Sequence, residues 1–255
     1  MDVFDLHSKV AIVTGGNGGI GLGIARGLAQ AGAAVTVSGR NQDKTTAAVA
    51  ELSALGAQVL GVQADVTASE EVQRLVDETV DRFGGVDILV ANAGTNIRKP
   101  PEAYSLADWH QIVDVNLTSV FVCCQAVFPH MQRRGGGKIV TIGSMTSIFG
   151  FDMAAVYAAT KGGVVQMTRS LASAWAKDNI QVNSILPGWI NTDLTVGARR
   201  NIPELHERVV SRTPARRWGE PADLAGAAVF FCSRASDYIT GTALPIDGGF
   251  SSSMF

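Results

Sequence analysis

Tyr157 and Lys161 stand four residues apart in a segment with helical periodicity. This spacing puts the phenol and the ammonium group on one face of a helix, about one turn apart. A free tyrosine has a pKa of about 10, too high for an efficient base at neutral pH. Because a nearby cation favours the phenolate, Lys161 is predicted to lower the pKa of Tyr157. The pair therefore predicts a general acid and base, although unrelated surface residues share this spacing.

Ser144 adds a hydroxyl group to this pair. It follows a predicted strand and precedes Tyr157 by thirteen residues. Open α/β sheets bind their ligands at the carboxyl ends of the strands, which is where Ser144 is expected. A hydroxyl at that edge can hydrogen-bond a substrate oxygen alongside the phenol.

A glycine-rich turn, TGGNGGIG over residues 14–21, follows the first predicted strand and opens a helix. Glycine permits positive φ angles and close backbone approach. The N-terminal amides of the helix then point at a bound pyrophosphate. A tight turn that only packs against a helix gives the same pattern, so the turn gains weight from its position after the first strand.

The end of the second predicted strand, Ser38-Gly39-Arg40-Asn41, bears on the choice of nucleotide. NAD-binding folds place an acid there to hold the ribose 2′-hydroxyl. Here Arg40 is suited to a 2′-phosphate, and Gly39 removes the carboxylate that would repel it. Stacking of Arg40 on adenine, or plain solvation, is the alternative. Gly18 provides no second cation, so a preference for NADP(H) is predicted, with NAD(H) still accepted.

Strand-like and helix-like segments alternate along the chain. The predicted strands are 9–14, 34–38, 58–62, 87–91, 138–142, 180–186 and 243–246, and the predicted helices are 24–33, 45–55, 70–83, 109–133, 155–177 and 222–233. Repeated β-α units predict parallel strands with right-handed crossovers. The expected fold is therefore α/β, a single doubly wound Rossmann-type parallel sheet with helices on both faces, in one domain over residues 1–255.

Composition excludes several other classes of protein. A net charge of −2 at pH 7 argues against nucleic acid as a partner. The three cysteines, Cys123, Cys124 and Cys232, form no CxxC pair and predict a reduced chain without a metal site. We expect a cytoplasmic protein with no membrane partner, since no apolar run reaches about 18 residues and residues 1–10 contain no apolar signal region.

The motifs occur together in a familiar order: the glycine-rich turn, Asp65-Val66, Asn92-Ala93-Gly94, Asn116, Ser144, YAATK over 157–161, and Pro187-Gly188. In this order the chain resembles the classical short-chain dehydrogenase/reductase family over nearly its whole length. The resemblance implies an NAD(P)-dependent oxidoreductase that acts on a secondary alcohol or ketone. The sequence departs from the family at Ala91, where asparagine is common, and at Gly18, where NADP-preferring members often carry a basic residue.

The resemblance also implies roles for individual residues. The implied catalytic set is Asn116, Ser144, Tyr157 and Lys161, with Lys161 on the nicotinamide ribose and Asn116 holding a water that links Lys161 to solvent. Asp65 as a helix cap and Asn116 as a buried kink residue are the packing alternatives. With Arg40 included, the predicted cofactor-binding residues are Gly15, Asn17, Gly19, Ile20, Gly21, Arg40, Asp65, Val66, Asn92, Gly94, Tyr157, Lys161, Pro187, Gly188, Ile190 and Thr192.

Further motifs bear on the substrate. Residues 4–6, 96–99 and 217–221 are similar to bacterial sugar-acid dehydrogenases of the gluconate 5-dehydrogenase and 2-deoxygluconate 3-dehydrogenase type. Arg98 and Lys99 are placed to meet a substrate carboxylate, unless they belong to a solvated loop. A 3-oxoacyl carrier-protein reductase and a non-catalytic NADP(H)-binding sensor or scaffold stay open as alternatives.

The polar, arginine-rich segment 190–213 is predicted to form a substrate lid. The helices predicted at 109–133 and 155–177 carry more apolar surface than one sheet face should cover. The family resemblance implies that they pair across a two-fold interface, and we therefore expect a homotetramer.

Overall fold

The computed structural model describes residues 2–253, within which seven parallel strands form one sheet in the order β3-β2-β1-β4-β5-β6-β7. The chain adds strands on one side of β1, then crosses back to β4 and continues on the other side. Ligands bind at the crevice that such a reversal opens. The strands are β1 Val10–Thr14, β2 Ala34–Gly39, β3 Val59–Gln63, β4 Ile88–Ala91, β5 Gly137–Ile142, β6 Ile180–Pro187 and β7 Ala243–Ile246.

Helices connect the strands, and a π-helical segment, Asp114–Thr118, joins two of these helices. Short 3₁₀ turns occupy several connections. The α-helices are α1 Gly19–Gln30, α2 Gln42–Ser53, α3 Ser69–Phe83, α4 Leu106–Val113, α5 Ser119–Arg133, α6 Ala155–Trp175, α7 Asp193–Asn201, α8 Leu205–Arg212 and α9 Ala225–Cys232.

The sheet is buried on both faces. Side chains from α1, α2 and α9 pack on one face, with Ile24, Leu52 and Phe231 among the buried residues. Helices α3, α5 and α6 cover the other face, where Leu75 and Val127 are buried. Parallel strands need this double cover, and β1, β4 and β6 are buried along their whole lengths. The predicted fold class is confirmed.

Two regions differ from the predicted elements. The predicted helix 109–133 is divided by the π-helical segment, which one apolar periodicity cannot reveal. Helices α7 and α8 lie in the segment where the sequence pattern weakens. They bury Ala198, Leu205 and Val209 against Trp218, away from the main core. That small cluster makes residues 193–212 a separate layer over the end of the sheet.

The continuous helical stretch Leu106–Arg133 is long and apolar enough to cross a membrane by length and composition alone, with a mean hydropathy of 1.6 in its most apolar window. The sequence analysis predicted no such run. In the fold, α5 packs on the sheet through Val120, Val127 and Met131. One face of this stretch therefore packs in the core, while 39% of its most apolar window is buried in all.

Candidate active site

The glycine-rich turn forms the floor of a cleft between β1 and β4. Gly15 has a φ angle of +61°, a left-handed conformation that side chains strain. At Gly21, an added Cβ would lie 2.2 Å from the Gly15 carbonyl oxygen, so only glycine lets α1 approach the turn. No side chain caps the start of α1, which leaves its first amides available to an anion. This cradle fits the pyrophosphate of a dinucleotide.

Asn17 ties the turn to α2. Its amide nitrogen donates to the Thr45 hydroxyl at 3.0 Å and to the Asn41 carbonyl at 3.3 Å. An added Cβ at Gly39 would lie 2.2 Å from the same amide nitrogen. A side chain at position 39 would therefore displace Asn17 from these hydrogen bonds, in addition to the electrostatic effect that the sequence suggested.

The end of β2 forms one side of the cleft. Arg40 is 75% exposed, and its Nη1 lies 3.9 Å from the Asp65 carboxylate. Burial raises the pKa of Asp65, but hydrogen bonds from Thr67 and the charge of Arg40 outweigh it and hold that pKa below its usual value. Asp65 caps the turn before α3 through Thr67, which matches its alternative packing role, and it also lines the cavity.

Lys44 is a cleft residue that sequence reasoning missed. It lines the same cavity as Arg40, and its Nζ donates to the Asp193 carboxylate at 2.8 Å. This hydrogen bond lowers the pKa of Asp193, the first residue of α7. Because 149 residues separate the two partners, no local pattern reveals the contact. In the sequence, the short spacing between Arg40 and Lys44, on either side of the start of α2, is the feature that indicates a second cation in the cleft.

The loop after β4 is fastened to β1. The Thr14 hydroxyl accepts from the backbone amides of Asn92 and Ala93 at 3.0 and 3.1 Å. The Asn92 side chain donates to the carbonyls of Thr14 and Gly15 at 2.9 and 3.2 Å. At Gly94, an added Cβ would point toward Lys161. The loop therefore lies directly against the floor of the cleft.

Asn116 is fully buried in the π-helical segment. Its side chain accepts from the Thr95 amide at 2.7 Å and donates to the Thr95 carbonyl at 2.9 Å and the Thr160 hydroxyl at 3.3 Å. These contacts connect the β4 loop to α6. They match the packing role expected for Asn116, and the π-helical turn is the device that aims its side chain inward.

Ser144, Tyr157 and Lys161 converge at the carboxyl end of β5. The Lys161 Nζ is buried, donates to the Ile142 carbonyl at 2.7 Å and lies 5.7 Å from the centre of the Tyr157 ring. The Ser147 hydroxyl donates to the Lys161 carbonyl at 2.8 Å and accepts from the Ser144 amide at 3.1 Å. The Ser147 hydroxyl thus holds the loop after β5 against α6.

The pKa values of the reacting groups follow from their surroundings. Burial raises the pKa of Tyr157, while a hydrogen bond with Ser144 and the positive charge of Arg98 act in the opposite direction. Burial lowers the pKa of Lys161 to about 8. From the sequence, Lys161 was predicted to lower the pKa of Tyr157, and no effect of Arg98 on that pKa was predicted.

The segment after β6 closes another side of the cleft. Ile190 pairs with Gly219 in an isolated bridge, and the Asn191 amide donates to the Gly219 carbonyl at 2.8 Å. Thr192 caps α7, and an added Cβ at Gly19 would lie 3.3 Å from its methyl group. The start of α7 therefore stands over the glycine-rich turn.

One cavity of about 520 Å³ brings most of the predicted residues together. Gly21 and Asn116 do not line the cavity themselves, but they contact residues that do. Among residues 2–253, no cluster of His, Cys, Asp and Glu side chains is suited to a metal ion. The predicted residues that line the cavity are Gly15, Asn17, Gly19, Ile20, Arg40, Asp65, Val66, Asn92, Gly94, Ser144, Tyr157, Lys161, Pro187, Gly188, Ile190 and Thr192.

Comparison with known proteins agrees with this geometry. A family model described as enoyl-(acyl carrier protein) reductase matches residues 15–251. A 2-dehydro-3-deoxy-D-gluconate 5-dehydrogenase of Formosa agariphila is 40% identical over 98% of this chain and 95% of its own length. A gluconate 5-dehydrogenase of Gluconobacter oxydans is 39% identical over 99% of this chain and 98% of its own length.

A solved structure matches equally well. The gluconate 5-dehydrogenase of Burkholderia cenocepacia, in complex with NADP and tartrate, superposes with a TM-score of 0.94 at 40% identity and covers 99% of both chains. The fold and the cleft define a Rossmann-type oxidoreductase. The chain belongs to the short-chain dehydrogenase/reductase family and is an NAD(P)-dependent enzyme that interconverts a secondary alcohol and a ketone.

Proposed function

We propose that this chain is an NADP(H)-preferring dehydrogenase whose substrate is a hydroxylated carboxylic acid of the sugar-acid class. Arg98 carries the proposal. This part-buried residue lines the cavity near Tyr157, and its Nε has no hydrogen-bond partner among the residues that the structure describes. Lys99, the other cation predicted to meet a carboxylate, is instead bonded to Asp108 at 2.7 Å. Arg98 is therefore the residue assigned to the substrate carboxylate.

The Lys99 contact is a stable one. Hydrogen bonds from Lys99 and from Ser105 lower the pKa of Asp108 to about 2, so the carboxylate stays ionised at neutral pH. Asp108 also completes the capping box of α4 with Ser105. Lys99 fixes the start of α4 and thereby the loop that carries Arg98.

The chemistry that the chain's own residues supply follows from the site. Tyr157 donates a proton to the carbonyl oxygen in reduction and accepts it back in oxidation. Ser144 hydrogen-bonds the same oxygen, and Lys161 holds the nicotinamide ribose. The hydrogen bond with Ser144 and the charge of Arg98 stabilise the phenolate when Tyr157 loses its proton. The nicotinamide, when bound, supplies or accepts a hydride at the carbon atom. Asn116 holds the β4 loop and α6 in the relative position that this transfer requires.

Two cations support the preference for NADP(H). Arg40 offers a planar guanidinium to the 2′-phosphate. Lys44 lies on the same side of the cavity, and a 2′-phosphate would compete with the Asp193 carboxylate for its ammonium group. The Burkholderia cenocepacia relative binds NADP with the same fold.

A substrate panel with wild-type protein tests the proposal. With NADPH as the reductant, 5-keto-D-gluconate is compared with L-sorbose, which has the same carbon skeleton with an alcohol in place of the carboxylate. A charge-assisted hydrogen bond contributes about 1.5–3 kcal/mol, so kcat/KM for the acid should be about 10- to 150-fold higher. Equal values for the two ketones would contradict the assignment of Arg98.

The panel also decides between the remaining functions. Acetoacetyl thioester is included because it is the substrate of a 3-oxoacyl carrier-protein reductase, the activity closest to the family model's description. A thioester presents no carboxylate to Arg98, so it should be reduced more slowly than the sugar acid. If the protein binds both forms of the cofactor but turns over none of the ketones with NADPH and none of the corresponding alcohols with NADP⁺, a non-catalytic sensor or scaffold is favoured.

We further propose that the enzyme is a cytoplasmic homotetramer and that residues 190–213 act as its substrate lid. Leu106, Trp109 and Phe121 are 77%, 43% and 46% exposed on α4 and α5, an apolar surface suited to a second copy. Lid closure over the cavity is supported by α7, whose first residue already reaches Lys44. Light scattering should give four times the chain mass of 26.8 kDa, and a monomer at micromolar concentration would contradict the assembly.

A further inference from the structure

Ser147 is a polar residue beside the active site that the proposed mechanism does not use. It does not line the cavity, so it is not placed to contact a bound cofactor or substrate. Its hydroxyl oxygen nevertheless joins two members of the catalytic set, since it accepts from the Ser144 amide at 3.1 Å and donates to the Lys161 carbonyl at 2.8 Å. A single oxygen atom therefore connects the turn after β5 to α6.

The turn that contains Ser147 is built around Ser144. In this 3₁₀ turn, Met145–Ser147, the Ser144 carbonyl accepts from the Ser147 amide at 2.9 Å, and the Ser144 hydroxyl accepts from the Thr146 amide at 3.1 Å. A hydroxyl has two lone pairs and one proton, so the bond from Thr146 leaves the Ser144 proton for another acceptor. The turn thereby directs that proton toward the cavity that Ser144 lines.

The Lys161 carbonyl ties this turn to the helix that carries the phenol. It lies inside α6, where each carbonyl accepts a helical hydrogen bond with one lone pair. The bond from Ser147 uses the second lone pair of the same oxygen. Tyr157 stands about one turn earlier on this helix, so a group fastened to the Lys161 backbone keeps a fixed distance from the phenol.

Gly143 gives the Ser147 hydroxyl the room that it needs. An added Cβ at Gly143 would lie 3.1 Å from this hydroxyl and 2.4 Å from a methyl group of Leu186. A side chain at position 143 would therefore push against the Ser147 hydroxyl and disturb both of its hydrogen bonds. The residue directly before Ser144 is thus part of the same arrangement.

The contact between Ser144 and Tyr157 has an effect that can be measured. Burial raises the pKa of Tyr157, and the hydrogen bond with Ser144 acts in the opposite direction because it stabilises the phenolate. The charged groups that face Tyr157 are Arg98, in the loop after β4, and Lys161, on α6. The side chain of Ser147 is bonded to neither charged group, so a change at Ser147 reaches the pKa of Tyr157 through Ser144.

We propose that Ser147 is a positioning residue for proton transfer, which holds the Ser144 hydroxyl at the Tyr157 phenol by fastening the turn after β5 to the backbone of α6. The inference rests on the proposed roles of Ser144 and Tyr157 and is independent of the substrate class. It assigns to Ser147 an effect on the rate and the pH dependence of the reaction, and none on the binding of cofactor or substrate.

The test uses Ser147→Ala, which removes only the hydroxyl. The substrate pair is 5-keto-D-gluconate and gluconate, or the ketone of the panel that is reduced fastest and its alcohol. With NADPH, kcat for the ketone should fall about two- to tenfold, while KM and the dissociation constant for NADPH stay unchanged. With NADP⁺, oxidation needs the deprotonated phenol. Because Ser144 then stabilises the phenolate less well, the rise of the oxidation rate with pH should move to higher pH.

Ser170→Ala is the matched control. The exposed Ser170 hydroxyl also donates to a carbonyl of α6, that of Gln166 at 3.2 Å, but far along the helix from the phenol. This variant should keep the wild-type rate and pH profile. Ser144→Ala should move the profile in the same direction as Ser147→Ala and at least as far, and the double variant should show no further shift.

The outcomes separate positioning from a merely structural role. A wild-type pH profile in Ser147→Ala, even with a lower melting temperature, would overturn the inference. A shift in Ser147→Ala that adds in full to that of Ser144→Ala would overturn it too, because Ser147 would then not act through Ser144. If Ser144→Ala itself changes neither kcat nor the pH profile, the proposed role of Ser144 fails and the inference fails with it.

Discussion

Replacing Arg98 with methionine is predicted to act on substrate binding and on proton transfer at the same time. Methionine keeps an unbranched side chain of similar reach, so the cavity wall stays filled while the guanidinium is removed. The Nε of Arg98 has no partner that would be stranded by the change. A carboxylate in contact with this group loses a charge-assisted hydrogen bond of about 1.5–3 kcal/mol. The expected loss in kcat/KM for 5-keto-D-gluconate is therefore about 10- to 150-fold.

The second effect concerns pH. The charge of Arg98 opposes the burial that raises the pKa of Tyr157, so its removal raises this pKa further. Oxidation of an alcohol needs the deprotonated phenol, and its rate rises with pH as Tyr157 loses its proton. In Arg98→Met that rise should move to higher pH. Reduction needs the protonated phenol and should remain active to higher pH than in the wild type.

The assay follows NADPH absorbance for both effects. Reduction of 5-keto-D-gluconate and of L-sorbose at neutral pH measures the binding effect, and a pH series with gluconate and NADP⁺ measures the shift. Arg98→Lys is the matched control, since it keeps the charge near Tyr157 but lacks the planar fork. It should restore the pH profile and only part of the kcat/KM. An equal loss for both ketones, or an unmoved pH profile, would refute the reasoning.

Three further predictions concern the cofactor and the catalytic group. Tyr157→Phe should lower kcat about 10²- to 10⁴-fold while NADPH still binds, and near-normal turnover would rule out Tyr157 as the acid. In fluorescence titrations, Arg40→Ala should weaken NADPH binding about tenfold and leave NADH binding unchanged. Lys44→Met should weaken NADPH binding severalfold, because the ammonium group of Lys44 is more easily screened. A matching loss for NADH would show that neither residue contacts the 2′-phosphate. Gly21→Ala should abolish tight cofactor binding, because the new Cβ would lie 2.2 Å from the Gly15 carbonyl oxygen. Gly18→Ala is the control and should bind NADPH normally, because its Cβ meets no protein atom within 4 Å. Normal binding by both variants would contradict the close approach of α1 to the turn.

The central strands were predictable from the sequence because their residues are buried on both faces, and the predicted bounds 9–14 agree with β1 to within a residue. At the edge of the sheet, β7 is only part-buried or exposed, and its short apolar run still predicted the bounds 243–246. Helices α7 and α8 were not predicted as helices. They are nine and eight residues long, so each offers only about two turns of periodicity, and they bury only Ala198, Leu205 and Val209 against Trp218.

The candidate site divides in the same way. The glycine-rich turn and the spacing of Tyr157 and Lys161 are local features, and the sequence alone predicted them. Lys44 depends on a contact with the distant α7, which no local pattern contains. The roles of Arg98 and Lys99 could be separated only in three dimensions, because Asp108 engages one of two adjacent cations and leaves the other at the cavity wall.

The three buried cysteines make it possible to measure how often the helical layers separate from the sheet. Cys123 and Cys124 are buried under α5 on one face of the sheet, and Cys232 is buried under α9 on the other. Burial raises the pKa of Cys123 and Cys232 to about 12, and that of Cys124 is also raised, so the native thiols are almost entirely protonated at neutral pH. Because alkylating reagents react with the exposed thiolate, the labelling rate of each thiol measures how often its layer separates from the sheet. Mass spectrometry of the labelled chain would then distinguish two added groups from one, and so show which of the two helical layers opens first.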